Sequence, residues 1–189
     1  QVQLVQFANL FENGSKVKMS TRSGNFYTLK KLIDDIGPDA SRFYYLSKQA
    51  DQHLDFDIGI ARSNSKDNLY YYIQYAHARI SSVEKKFLKL GKSLPEKFND
   101  AKFDKCDELL QIALNAQFIV KSSGESLQPH LIVYYLRDIA QNFHQFYNNV
   151  NILNADEEHK NNIIRTLMIV KSVIASSLEL LGIEPLESM

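Results

Sequence analysis

"NLYYYIQYAHARISSVEKKFLKLG", residues 68–91, is the stretch on which the reading of the chain turns. At about 100° per residue, Ile73, Ala76, His77, Ile80 and Phe87 share one face of a helix ended by Gly91. That face is a core stripe. Tyr72, Tyr75, Arg79, Ser82 and Lys86 share the neighbouring face. Two rings and two cations in a column suit single-stranded RNA: unpaired bases stack on tyrosine rings and guanidinium planes while cations meet phosphates. Each stacked base contributes ~1–3 kcal/mol. The residues alone equally allow a second reading, in which the tyrosines flank a core and only their hydroxyls reach solvent.

Other helices follow on both sides. Downstream, one is expected from near Asp104 to Val120, with a break at "KSSGESLQP", residues 121–129. Pro129 opens a helix to about Asn149, carrying Ile132, Leu136, Ile139, Phe143, Phe146 and Val150 at helical spacing. Asp156 opens the last, with Ile163, Leu167, Val170, Ile174, Leu178 and Leu181 on one face, ending at Leu181-Gly182. Asp156, Glu157 and Glu158 sit at the positive end of its dipole.

Upstream, Thr28 is an N-cap for a short helix stopped by Gly37-Pro38, and Pro38 suits the first turn of another. Residues 51–60, "DQHLDFDIGI", read as a link between domains. Val2, Leu4 and Phe7 alternate with polar residues, Asn13-Gly14 is a turn dipeptide, and "KVKMS" can return, so residues 1–20 read as a hairpin. A two-stranded hairpin is marginal in water, so it is expected to join a sheet that this chain does not contain. The expected fold is mostly α: a helical bundle preceded by a short β-hairpin and helix remnant.

Lys+Arg and Asp+Glu each number 22 among 189 residues, so net charge points to neither nucleic acid nor membrane. A basic footprint has to be local. One is: through Ile33, Lys16, Lys18, Arg22, Lys30 and Lys31 face a single acid, Glu12. Cys106 is the only cysteine, which excludes a disulfide framework and fits a reducing compartment. The five histidines lack paired metal spacing, and no metal site is expected. His77 reads as a hydrogen-bonded core histidine, whereas His130 and His144 fall with Arg137 on the polar face of their helix. No apolar run approaches the ~20 residues of a membrane span, and residues 1–11 lack the charged start of a signal peptide.

Lys18-Met19-Ser20-Thr21-Arg22 sets flexible cations beside hydroxyls, a composition suited to closing on phosphates but common in solvated turns. "KMSTR" resembles the second signature of class I aminoacyl-tRNA synthetases, the KMSKS-type loop. "VKMSTRSGNFYTLKKLIDDIGPDASRFYYLS" (17–47), "HLDFD" (53–57) and, most specifically, "YYIQYAHARI" (71–80) are similar to arginyl-tRNA synthetases. "PHLIVYYLRDIAQNFHQFY" (129–147) resembles the helix that carries that family's DALR motif.

The resemblance implies a class I ligase that activates arginine with ATP, bound with Mg, and transfers it to an arginine-accepting tRNA. By position, Lys18, Met19, Ser20 and Arg22 match the ATP-holding loop, with Lys18 and Arg22 as catalytic cations. Thr21 departs, standing where many class I enzymes have a lysine. Tyr72, Tyr75, Arg79, Tyr135 and Met189 fall at positions expected to meet the anticodon loop. Tyr135, beside Ile132 and Ile139, is equally open to a core role. Residues 1–66 are expected to be the end of the catalytic domain and 67–189 the DALR-type bundle. The family's HIGH-type signature is not in this sequence. The chain is therefore expected to be a C-terminal part that holds no ATP tightly and does not aminoacylate alone. A cytoplasmic monomer without membrane contact is expected. A helical protein-interaction module and a cysteine-specific synthetase fragment are the alternatives.

Overall fold

A computed structural model describes residues 2, 4–12, 14–17, 27–100, 106–150, 152 and 155–189. The chain opens on β1 (Ala8–Glu12), which turns at Gly14 (φ +76°) into the antiparallel β2 (Ser15–Lys16), pairing Glu12 with Ser15. Two short helices follow. α1 (Leu29–Ile36) is capped by the Thr28 hydroxyl, which accepts from the Lys31 amide, and α2 (Pro38–Leu46) begins on its proline. Then come β3 (Leu54–Asp57) and α3 (Ile58–Arg62).

Two expectations are corrected here. The first strand begins at Ala8, not Val2. Val2, Leu4 and Phe7 alternate with glutamines, but their side chains, like that of Val5, stand exposed. The segment read as a link is a strand: β3 runs parallel to β1, with Ala8 opposite Leu54 and Leu10 opposite Phe56, giving the order β2-β1-β3. Its partner lies 46 positions away, beyond the reach of a local pattern. Leu10, Leu32, Leu54, Phe56, Ile58 and Ala61 form one small core under this sheet. Arg62 fastens its rim, pairing with Asp35 at 2.7 Å and Glu12 at 3.3 Å.

The bundle is built from α4 (Leu69–Lys89), α5 (Asp107–Leu114), α6 (Ala116–Ser126), α7 (His130–Asn149) and α8 (Glu157–Leu180). The stripes behave as their spacing requires. Ile73, Ala76, Ile80 and Phe87 of α4 bury against Leu136, Ile139 and Phe143 of α7 and Leu167, Val170 and Ile174 of α8 in one core. The single helix expected between Asp104 and Val120 is instead two. The turn falls at Asn115, and α6 continues through Gly124 to Ser126, ending on Leu127 in the left-handed region (φ +56°). The turn lets α5 pack on both α7 and α8 while α6 lies along α7. Among the described residues no helix is long and apolar enough to cross a membrane.

Asn68 joins the two cores. Its amide donates to the carbonyls of Ala61 (2.9 Å) and Ser63 (2.7 Å). Its Oδ1 accepts from the Tyr44 hydroxyl (2.9 Å) and the Tyr71 amide (3.1 Å). Tyr44 packs against both apolar clusters. The C-terminal segment closes the other side: the Gln74 side chain donates to the Glu184 carbonyl and accepts from the Leu186 amide. His77 Nδ1 meets the Leu186 carbonyl at 2.8 Å, so it is the core histidine expected.

Candidate nucleic-acid interface

α4 and α7 lie side by side, and at their seam the rings of both helices meet. Tyr72, Tyr75 and Arg79 are half-buried, neither sealed in the core nor free in solvent. Tyr71 and Tyr75 stack at 5.9 Å between centroids with 13° between planes. The Arg79 guanidinium lies over two rings, 4.8 Å from the Tyr75 centroid and 4.3 Å from that of Tyr147. Guanidinium over a ring face is a favourable cation–π arrangement, and it lines up rings and guanidinium as one aromatic and cationic column along the seam. Among the described residues no carboxylate pairs with Arg79, whose contacts are these rings and an imidazole. Its charge is therefore available to a phosphate. Exposed Ser82 and Lys86 continue the face. Beside Tyr147 opens a cleft of about 450 Å³ lined by Lys86, Asn148 and Asn149. Ring, amides and a cation in one cleft match the needs of a splayed nucleotide.

The structure brings together three of the residues expected from sequence, Tyr72, Tyr75 and Arg79. It separates two others. Tyr135 is only 7% exposed, and its hydroxyl donates to the carbonyls of Ile112 (3.1 Å) and Ala113 (3.2 Å). Burial raises its pKa, keeping it a donor. Of its two open roles, the core one is what the structure shows, and the ring is no part of the column. Met189 is 52% exposed. It ends a segment held to the opposite side of α4 by Gln74, His77 and a Lys85–Glu187 pair at 3.5 Å, so it is not brought to the rings. Lys18, Met19, Ser20 and Arg22 lie outside the described residues.

The histidines of α7 also differ from expectation. His130 and His144 are buried rather than on a polar face. The face widens because α2, α4 and α6 all pack against α7. His144 sits 4.4 Å from the Tyr72 ring and 5.7 Å from the Tyr75 ring. Tyr71, Tyr147 and His144 were not expected in the site. Tyr71 stands four residues before Tyr75, a spacing that alone predicts contact. Tyr147 and His144 are reached only through the packing of two helices.

Tyr135→Phe removes a hydroxyl that two carbonyls share. It is expected to cost stability about 1–2 kcal/mol in urea unfolding while leaving RNA affinity unchanged. A weakened RNA complex at unchanged stability would return Tyr135 to the interface.

Residues 73–189, well over half of the chain, match the family described as the DALR anticodon binding domain. The chain belongs to the DALR anticodon-binding domain family. The match begins inside α4, so it takes in Tyr75, Arg79 and Tyr147 of the column and starts just after Tyr71 and Tyr72. Along nearly its whole length the chain is similar to arginine–tRNA ligases. It is 40% identical over 192 residues to that of Legionella pneumophila (strain Corby), covering 98% of this chain and 33% of the relative. It is 41% identical over 194 residues to that of Azoarcus sp. (strain BH72), covering 100% and 32%. The chain thus spans about a third of the length of the curated relatives it matches. A crystal structure from Campylobacter jejuni assigned as an arginyl-tRNA synthetase superposes with a TM-score of 0.83 at 34% identity, covering 98% of this chain and 40% of that one. The Thermus thermophilus arginyl-tRNA synthetase shares the fold, with a TM-score of 0.73 at 21% identity over 95% of this chain and 34% of that one.

Proposed function

We propose that this chain is the part of an arginine–tRNA ligase that grips the anticodon loop of its tRNA. The observation that carries the reading is the half-exposed column of Tyr71, Tyr75, Arg79 and Tyr147 on a DALR domain. Unpaired anticodon bases stack on the rings, Arg79 and Lys86 meet the phosphates, and the Asn148 and Asn149 amides are at hand for base edges. Residues 67–189 form the binding unit. Residues 1–66 belong to the catalytic domain, where Lys18, Met19, Ser20 and Arg22 hold the phosphates of Mg-bound ATP while arginine is activated. The parent protein works as a cytoplasmic monomer, and this chain alone does not charge tRNA. The arginine–tRNA ligase relatives favour this reading over a cysteine-specific one.

A gel shift with an arginine-accepting tRNA tests it. Phosphate contacts release counterions, so affinity falls steeply with salt. Raising salt from about 50 mM to about 200 mM should weaken the complex on the order of tenfold or more. No shift at the lower salt, or a salt-indifferent one, would overturn the proposal.

A further inference from the structure

His144 lies under the column where α4 and α7 meet, and its two ring nitrogens face different partners. Nε2 is 3.2 Å from the Tyr72 carbonyl oxygen. Nδ1 is 3.4 Å from Arg79 Nη1. A carbonyl only accepts and a guanidinium only donates. Nε2 must therefore carry the proton and Nδ1 must present its lone pair. One neutral tautomer satisfies both neighbours. A second proton would sit on Nδ1 and point at Arg79, setting donor against donor and cation against cation. Among the described residues, the rings and charged groups that meet the imidazole are Tyr72, Tyr75 and Arg79 from α4 and Phe143 from α7, and of these only Arg79 is charged.

We propose that His144 is the positioning residue of the column: its neutral Nε2–H form aims Arg79 over Tyr75 and Tyr147, and a second proton on the ring releases that cation and loosens the grip on RNA. The inference rests on the RNA-binding reading given above. The environment agrees with it. Burial holds the imidazole pKa below its ordinary 6.5; the hydrogen bond to the Tyr72 carbonyl opposes it next, and the Arg79 charge adds the smallest push downward. For a group depressed in the fold, the arrangement is intact above pH 6.5 and is lost as pH falls from there through the lower folded value. The predicted direction is unusual. Histidines that gain charge in acid ordinarily strengthen a protein's hold on polyanions.

The test measures affinity for a fluorescently labelled arginine-accepting tRNA at constant ionic strength, at about pH 8 and about pH 5. The proteins are the full chain, His144→Gln and His144→Phe. Wild type should lose affinity on acidification, because only the fraction with neutral His144 is competent. Glutamine can accept from Arg79 and donate to the Tyr72 carbonyl without titrating. It should restore most of what phenylalanine loses at the higher pH, and its affinity should not fall in acid. A wild type indifferent to pH, or a glutamine variant that falls as wild type does, overturns the role of His144 and leaves the RNA reading standing. Absence of any tRNA binding by wild type at about pH 8 overturns the RNA reading, and this inference with it.

Discussion

Arg79→Ala is expected to weaken tRNA binding about 30- to 100-fold, or about 2–3 kcal/mol, in the range of a hot-spot truncation. The size follows from how many partners one side chain serves. Its guanidinium spans the rings of Tyr75 and Tyr147, each within 5 Å, and closes on His144. Under the proposed RNA-binding role, deletion removes a phosphate partner, and it takes away the group that lies over both the Tyr75 and Tyr147 rings. Arg79→Lys is a sharper test than it looks. Lysine keeps the charge but not the plane, so it should recover only part of the loss. Tyr75→Ala should cost about 1–3 kcal/mol for its lost stacking partner. Arg79 is half-buried and off the core stripe, so unfolding midpoints should move little. Affinity of the alanine variants within twofold of wild type, read by fluorescence anisotropy, would remove the column from the interface.

Asn68→Ala carries the largest expected loss of stability, about 3 kcal/mol. The side chain is 3% exposed and makes four hydrogen bonds. One caps α4 through the Tyr71 amide. Two close the turn after α3 on the carbonyls of Ala61 and Ser63. The fourth holds the Tyr44 hydroxyl. Alanine strands all four groups in a place water reaches poorly, and a buried polar group without a partner is destabilising. Asn68→Asp should be nearly as damaging, since it turns a carboxylate oxygen toward two carbonyls. Urea unfolding reads the loss, and limited proteolysis should show earlier cleavage between α3 and α4. A variant within ~0.5 kcal/mol of wild type would mean that Tyr44 packing alone joins the two cores. Burial lifts the Tyr44 pKa from 10.0 to about 12. Its contribution is therefore complete below pH 10 and is lost as pH rises through about 12. Both cores meet at this tyrosine, so its ionisation should loosen the contact between them.

Much of the fold is written locally. Thr28, Asn68 and Asp156 cap helices as their side-chain chemistry dictates. Gly91 and Gly182 adopt the positive φ that ends α4 and α8. The apolar stripes of α4, α7 and α8 bury as their period demands. What failed was non-local. Leu54 and Phe56 alternate plainly, but the strand they form needs β1, far away in the chain. The break at Asn115 is silent because apolar residues run through it on both sides.

The candidate site divides in the same way. Tyr72, Tyr75 and Arg79 share one helix face, so spacing alone set them together, as 3.6 residues per turn requires. Sequence also fixed that the face is amphipathic, with rings and a cation beside a core stripe. Only the tertiary packing decided that Tyr147 of α7 lies over the same guanidinium and that His144 is wedged beneath. It alone turned Tyr135 inward and laid the C-terminal segment on the far side of α4. The reason is physical. A period tells which residues of one helix face the same way, but which residues of a second helix meet them depends on the angle and offset at which two cores close, and no single segment encodes that.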